Sequence, residues 1–164
     1  FYRSILQYRD KKVIPLAEEL TVVRNYIYLL KERFGDKLQI TINTNEKEQE
    51  SFVPPLSIQM LVENAIKHNV VSNHRPLDVR IDQQKGGELM IRNTLQPKRI
   101  KPKSTSFGLS SIIARFSLLS DKRVQVSKNR GEFVVTLPLI KSDLAEKAYI
   151  DPAKLEKIED ELGQ

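Results

Sequence analysis

The stretch 54–69, PPLSIQMLVENAIKHN, decides how the rest of this chain is interpreted. Two prolines open it, and a helix tolerates proline best at its first position, where the N–H has no partner within the helix. The apolar residues that follow recur at helical spacing and predict a buried stripe: Ile58, Leu61, Val62, Ala65 and Ile66. Asn64, Lys67 and His68 lie three and four residues apart, so a helix would carry them together on another side.

These three polar side chains suit a phosphorylated ligand and its metal. An amide oxygen is a ligand that Mg²⁺ accepts, and Mg²⁺ is usually shared between one or two protein groups and substrate phosphates. A structural alternative stays open, because Glu63 and Lys67 stand four residues apart like an ordinary surface ion pair. A histidine at a helix end is also commonly a structural hydrogen bonder. Asn64 is harder to explain in that way, since asparagine is a poor helix former in mid-helix.

Residues 61–69, LVENAIKHN, resemble the asparagine-bearing helix of ATP-binding domains in the histidine kinase, gyrase and Hsp90 superfamily. More narrowly, the chain resembles the LytS/YehU-type sensor histidine kinases of bacterial two-component systems, whose pattern has a proline pair, a glutamine and Leu-Val-Glu-Asn-Ala-x-Lys-His. Residues 16–34 are similar to that family's linker helix, with matches at Glu18, Glu19, Leu20, Tyr26, Arg33 and Phe34. Residues 107–109 look like its second glycine box, followed in the next helix by Ile112, Arg115 and Phe116. The resemblance covers residues 1–140.

The resemblance implies ATP and Mg²⁺ as cofactors and gives the polar residues distinct roles. Asn64 offers its amide oxygen to Mg²⁺, while Lys67 and His68 lie within reach of the phosphates as cation and hydrogen bonder. Glu63 is the expected catalytic residue, which orients or deprotonates the accepting imidazole. The remaining ATP contacts are expected at Asn93 for adenine and, near the phosphates, at Phe107, Gly108 and Leu109.

The segment between these two motifs is basic. Residues 89–120 contain six lysines or arginines and no aspartate or glutamate. Four of these cations fall within residues 94–106, namely Lys98, Arg99, Lys101 and Lys103. By its position this segment matches the flexible lid that covers ATP in the family, and its charge would attract a triphosphate. The alternative is an ordinary solvated basic loop.

Three departures from the family pattern favour an alternative function. Asn93 stands where histidine kinases usually carry the aspartate of an Asp-x-Gly-x-Gly box, and neither glycine follows it. Ser106 replaces the first glycine of the second box, and Met60 takes the place of a second polar residue. The alternative is a degenerate nucleotide-binding module, a pseudokinase that serves as an interaction platform.

The expected partners are inferred from the absence of a phosphate-accepting histidine motif in the sequence and from the resemblance. Its two histidines, His68 and His74, do not lie in the Pro-His-Phe type of motif that accepts phosphate in this family. We therefore expect the γ-phosphate to go to a histidine in an upstream segment of the same protein, and this chain alone not to autophosphorylate. The resemblance also implies a response regulator as partner, a homodimeric full-length protein, and a cytoplasmic domain of a membrane-anchored bacterial protein.

Composition limits the alternatives further. The chain has 164 residues, of which 40% are hydrophobic and 29% charged, as expected for a globular domain. It contains no cysteine, which excludes disulfides and thiolate metal sites. A nucleic-acid partner is the least favoured function, because the net charge of +6 is accompanied by no aromatic stacking platform or recognition-helix motif.

The order of periodic segments predicts the fold. Helices are expected at 16–34, from 54 onward and at 109–119, and strands at 37–45, 77–81, 88–92, 123–127 and 133–139. This interleaving predicts an α+β protein, a Bergerat-type two-layer α/β sandwich whose mixed, mainly antiparallel sheet has helices on one face. We divide the chain into the end of a dimerisation or linker helical region (1–35), an ATP-binding catalytic domain (36–140) and a C-terminal helical tail (141–164), whose packing the sequence leaves open.

Overall fold

The computed structural model describes residues 11–45, 51–99 and 107–148. Its helices are α1 (Leu16–Phe34), α2 (Ser57–His68), α3 (Phe107–Ser117) and α4 (Ser142–Ala148), with a 3₁₀ turn at Gly35–Lys37. Its strands are β1 (Ile14–Pro15), β2 (Leu38–Asn43), β3 (Phe52–Val53), β4 (Leu77–Gln84), β5 (Glu88–Thr94), β6 (Gln125–Asn129) and β7 (Glu132–Pro138). No helix among these described residues is both long enough and apolar enough to cross a bilayer.

One mixed sheet organises the fold. Its five strands lie in the order β2-β4-β5-β7-β6, and β1 pairs with β3 in a separate two-stranded ribbon. Strands β2 and β4 are parallel, whereas every other neighbouring pair in the larger sheet is antiparallel. The predicted α+β class and the mixed, mainly antiparallel sheet are therefore confirmed.

The two faces of the sheet differ in chemistry. Along β4, Leu77, Val79 and Ile81 alternate into the core, where α1 and α2 pack against the sheet. On the opposite face, Arg80 pairs with Asp78 of its own strand at 3.0 Å, and the side chains of Arg92 and Asp82 approach to 3.2 Å across β4 and β5. One face is thus the floor of the core, and the other carries ion pairs.

The helices complete a single core. Helix α1 contributes buried residues at helical spacing, including Leu20, Val23 and Ile27, and α3 contributes Ile112 and Phe116. Helix α2 buries four residues of the predicted apolar stripe, Ile58, Leu61, Val62 and Ala65, while Ile66 is half-buried. Helix α1 therefore shares the core of the sheet, and the proposed boundary at residue 35 stays a prediction.

Helix α1 ends where its sequence predicts. Gly35 has φ +54° and ψ −137°, a backbone conformation that glycine adopts readily, and its N–H donates to the carbonyl of Lys31. Positive φ also recurs in both hairpin turns, at Gly86 and Gly87 between β4 and β5, and at Arg130 and Gly131 between β6 and β7.

The start of α2 differs from the prediction. The prolines precede the helix instead of opening it: α2 begins at Ser57, and Leu56 stands at the N-cap with φ 62° and ψ 13°. Ser57 donates its hydroxyl proton to the Pro54 carbonyl at 2.7 Å, so Pro54 and Pro55 belong to a turn that feeds the helix. Leu56 has no side-chain acceptor, and the first N–H groups of α2 need partners from elsewhere.

Other bounds shift by a few residues because local patterns blur at element ends. Strands β4 and β5 extend beyond their predicted ends, β6 begins later than predicted, and α3 begins earlier. Helix α4 lies within the predicted C-terminal helical tail, and it packs through Ala145, which is buried. Residues 1–10, 46–50, 100–106 and 149–164 lie outside the described residues, and with them lies most of the predicted C-terminal tail.

Candidate functional site

The structure brings the Asn64 side chain onto the backbone of Gly108. A Cβ atom added at Gly108 would lie 3.2 Å from the Asn64 Nδ2 atom and 3.3 Å from its Oδ1 atom. Such a distance is shorter than ordinary van der Waals contact, so the absence of a side chain at Gly108 is what admits the amide. The two predicted motifs, the asparagine helix and the glycine box, are therefore in contact, and their role in binding a nucleotide stays a prediction.

Helix α2 presents its polar residues at graded depth. Asn64 is half-buried beside the core residue Ala65, whereas Lys67 and His68 are exposed in the last turn. The Asn64 amide thus lies deeper than the side chains of Lys67 and His68, which stand at the rim of the site.

The ring of His68 is held towards its neutral form. Partial burial lowers the pKa of His68 below its ordinary value, and the positive charges of Lys67 and Lys98 lower it further. A neutral imidazole offers one donor and one acceptor nitrogen. At neutral pH His68 therefore presents a neutral ring beside the positive charges of Lys67 and Lys98, and the roles of Lys67 and His68 towards a phosphate stay predictions.

Lys98 closes the carboxyl end of α2. Its ammonium donates to the carbonyls of Ile66 and Lys67 at 3.1 and 3.0 Å, and its backbone N–H donates to the His68 carbonyl at 3.1 Å. A cation is favourable at this end of a helix, where carbonyl groups lack partners. Of the four cations in the predicted lid, Lys98 is therefore held by hydrogen bonds to α2. Arg99 is exposed, and Lys101 and Lys103 lie outside the described residues.

Two buried residues that the sequence analysis missed hold the same end of α2. Asn69 donates its amide to the Ala65 carbonyl at 2.8 Å and accepts the Gln96 N–H at 2.8 Å. Gln96 donates its own side-chain amide to the Arg75 carbonyl at 2.9 Å. Asn69 has φ −114° and ψ 155°, so it is not the left-handed asparagine that commonly ends a helix, and nothing local marks Gln96 as buried.

Asn93 lies on the core face of the sheet. It follows Leu89 and Ile91 in the alternation of β5 and is only 6% exposed. Its side-chain amide donates to the Thr94 carbonyl at 2.7 Å. The predicted adenine contact is therefore a buried, hydrogen-bonded amide on the face that α2 covers.

Glu63 lies on the side of α2 that faces α1. Its carboxylate accepts a hydrogen bond at 2.9 Å from the side chain of Gln59, one turn earlier in the helix, and Gln59 is buried. Burial raises the pKa of the Tyr26 phenol, and the negative charge of Glu63 contributes to that rise, which places Glu63 beside α1. Gln59 was quoted only as part of a sequence pattern, and the structure shows that it orients Glu63.

The fold defines the class of the protein. It matches the catalytic domain of histidine kinase ThkA with a TM-score of 0.53 and 12% identity, over 79% of this chain and 97% of that one. It also matches full-length ShkA, a structure determined in complex with AMPPNP, with a TM-score of 0.51 and 13% identity, over 82% of this chain and 33% of that one. The architecture is that of a histidine kinase catalytic domain.

Sequence comparison gives the particular relative. Residues 1–38 match the model of the Histidine kinase family. Over 139 residues the chain is 31% identical to the sensor histidine kinase/phosphatase LytS of Staphylococcus aureus strain Mu50. That alignment covers 85% of this chain but 22% of LytS, so the chain corresponds to a limited part of its relative. The predicted resemblance to LytS-type sensor histidine kinases is confirmed.

The contact between Asn64 and Gly108 can be tested with Gly108→Ala. Alanine is normally the better residue in a helix, by about 0.5–1 kcal/mol, but here its Cβ would push against the Asn64 amide. We expect a displaced side-chain NH₂ signal of Asn64 in a ¹⁵N–¹H correlation spectrum. The control Ser111→Ala, at an exposed site on α3, should leave that signal in place. An unmoved Asn64 signal in Gly108→Ala would contradict the close approach.

The state of His68 can be tested by NMR titration. We expect the pKa of the His68 ring to lie below its ordinary value of 6.5 and to rise in Lys67→Gln, with no rise in the exposed control Lys85→Gln. His74→Gln distinguishes the two histidine signals. Because the fold favours the neutral ring, its contribution to stability is present above about pH 6.5 and is lost as the pH falls through the folded pKa. A pKa at or above 6.5 would contradict this environment.

Proposed function

We propose that this chain binds ATP with Mg²⁺ and is the catalytic part of a two-component sensor histidine kinase. The observation that supports it most directly is the contact of Asn64 with Gly108, because it unites an amide oxygen with a side-chain-free helix start. The helix start supplies N–H groups for phosphate, and the amide supplies an oxygen for a metal. The likeness to LytS supports the same function.

The residues present fit a shared Mg²⁺ better than a protein-enclosed metal. Among the described residues, no three His, Cys, Asp or Glu side chains come together as a metal centre. Asn64 alone would hold the ion from the protein side, and oxygens of the ATP phosphates would supply further ligands. When bound with ATP, Mg²⁺ would neutralise charge on the phosphates.

Different side chains and backbone groups of the chain would bind different parts of the nucleotide. Gly108 and the Leu109 amide, with Phe107 before them, would bind phosphate at the start of α3, an eleven-residue helix. Lys67 would supply the positive charge at the rim and His68 a hydrogen bond. Asn93 would accept from the adenine amine, which requires its carbonyl oxygen and leaves its bond to Thr94 intact.

The basic segment would close over the nucleotide. Lys98 already binds the carboxyl end of α2, so it serves as the anchor of the lid instead of its moving part. The positive charges that would attract the triphosphate are therefore those of Arg99, Lys101 and Lys103. Attraction between such charges and a triphosphate weakens as the salt concentration rises.

The γ-phosphate would pass to a histidine in another segment of a longer protein. That protein would be membrane-anchored and homodimeric, and a response regulator would take the phosphate from the histidine. Glu63, held by Gln59, would orient or deprotonate that imidazole. Phosphoryl transfer depends mainly on position and electrostatics, so the chain needs only to hold ATP and present it. ShkA, which shares the fold, was determined with AMPPNP.

A second candidate is the degenerate module that does not bind ATP productively. The hydrogen bond from the Asn93 amide to Thr94 favours it, since this side chain already has a structural role inside the domain. An uncharged amide is also a weaker partner for the adenine amine than a carboxylate. The two candidates differ in ATP affinity and have the same fold.

Calorimetric titration with ATP and Mg²⁺ separates the two candidates. We expect Mg²⁺-dependent binding by the native chain and a loss of at least about tenfold in affinity, or about 1.4 kcal/mol, in Asn64→Ala. The control Asn73→Ala makes the same chemical change at an exposed residue and should bind normally. Absence of binding by the native chain at millimolar ATP would favour the degenerate module.

The role of Glu63 requires the longer protein that contains the accepting histidine. We expect Glu63→Gln to keep ATP affinity and to slow phosphotransfer by about 10²-fold or more, the usual effect of losing a general base. Glu32→Gln, at an exposed glutamate on α1, is the matched control. Full phosphotransfer by Glu63→Gln would remove Glu63 from the mechanism.

A further inference from the structure

Glu19 of α1 is a fully buried acidic residue that binds the start of α2. Its Oε2 atom accepts the Leu56 N–H at 2.8 Å, and its Oε1 atom accepts the Ile58 N–H at 2.9 Å. The side chain is 0% exposed. The proposed mechanism uses neither Glu19 nor these bonds.

These bonds replace a cap that α2 lacks. A helix normally satisfies its first N–H groups with a Ser, Thr, Asp or Asn at its own N-cap, but here that position is Leu56, whose side chain makes no such bond. The acceptor comes instead from a residue 37 to 39 positions away in the sequence. The first turn of α2 therefore takes its position from α1.

Arg115 brings the third helix to the same point. Its guanidinium donates to the Pro55 carbonyl at 2.7 Å and lies 3.5 Å from the sulfur of Met60. Burial raises the pKa of the Glu19 carboxyl, while the backbone N–H bonds and the charge of Arg115 lower it. Burial likewise lowers the pKa of Arg115, and Glu19 opposes this change. Each charge thus compensates part of the cost of burying the other.

Helices α2 and α3 consequently meet at two places. At one, Arg115 of α3 binds the turn before α2; at the other, Gly108 of α3 lies against Asn64. In each helix the two contact positions are about two turns apart, so the contacts mark the two ends of the stretch along which α2 and α3 lie side by side. A shift at the Glu19 end changes the gap between Asn64 and Gly108 at the other end.

We propose that Glu19 is a positioning residue that sets the distance between Asn64 and Gly108 and thereby couples the placement of α1 to the affinity for ATP with Mg²⁺. This inference rests on the proposed function for its ligand. The two backbone N–H bonds that Glu19 accepts are directional, so they hold the start of α2 in one geometry relative to α1. Glu19 transmits the position of α1 to the site without touching the nucleotide.

The test compares Glu19→Gln with Glu18→Gln in this chain, each checked for an intact fold by circular dichroism. Glutamine has the same shape but no charge, and Glu18 is the neighbouring, partly exposed glutamate that approaches Lys11 at 3.9 Å. We expect Glu19→Gln to weaken ATP binding about tenfold in Mg²⁺ and clearly less in EDTA, because the effect passes through Asn64. It should also shift the Asn64 side-chain NH₂ signal, and Glu18→Gln should do neither.

Opposite outcomes would overturn the proposal. If Glu19→Gln weakens ATP binding equally with and without Mg²⁺, Glu19 has a merely structural role. If ATP affinity is unchanged and the Asn64 signal does not move, Glu19 has no role in the site. If Glu19→Gln does not fold, Arg115→Lys tests the same junction from α3, with the same expected loss and shift. If the native chain binds no ATP, the proposed function fails, and the Asn64 signal alone decides whether Glu19 positions that residue.

Discussion

The structure depends on how the two ends of α2 are satisfied. A helix leaves unpaired N–H groups at its start and unpaired carbonyls at its end, and both ends of α2 find partners in other parts of the chain. Glu19 binds the first, while Asn69 and Lys98 bind the second. The helix that carries Asn64 is thus held at both ends by groups outside its own residues. The sheet supplies its floor, and the capping groups determine its position.

The candidate site has one end whose chemistry is clear and one whose chemistry is ambiguous. At the expected phosphate end, the Asn64 amide lies against the start of α3 and Lys67 is exposed in the last turn of α2, and each group is suited to an anion or its metal. At the adenine end, Asn93 is a buried amide that also bonds the neighbouring backbone. Under the proposed function, such a site would gain most of its affinity from the triphosphate and little of its selectivity from the base. The affinity for ATP and the selectivity for its base would then be separable properties.

Sequence patterns predicted the order of the elements and the contents of α2, because helical and strand periods are strong over such lengths. They also predicted the bounds of α1, which the structure places at Leu16–Phe34. The predicted start of α2 was wrong, because the prolines form a turn and Leu56, a residue in the αL conformation, precedes the helix. Glu19 could not be recognised either: an acid in a helix's first turn normally faces solvent, and only its partners in other elements make burial possible. The meeting of Asn64 with Gly108 followed from resemblance, because neither residue alone indicates the other.

Gly108 has a thermodynamic consequence beyond the space it leaves. Glycine lowers helix stability by about 1 kcal/mol relative to alanine, and here it lies in the first turn of α3, where the helix is least supported by its own hydrogen bonds. Winding of that turn and occupation of its N–H groups by an anion are therefore linked equilibria. Part of the binding free energy of any ligand at this point is spent on reducing local chain entropy, and the affinity measured is smaller than the contacts alone would give.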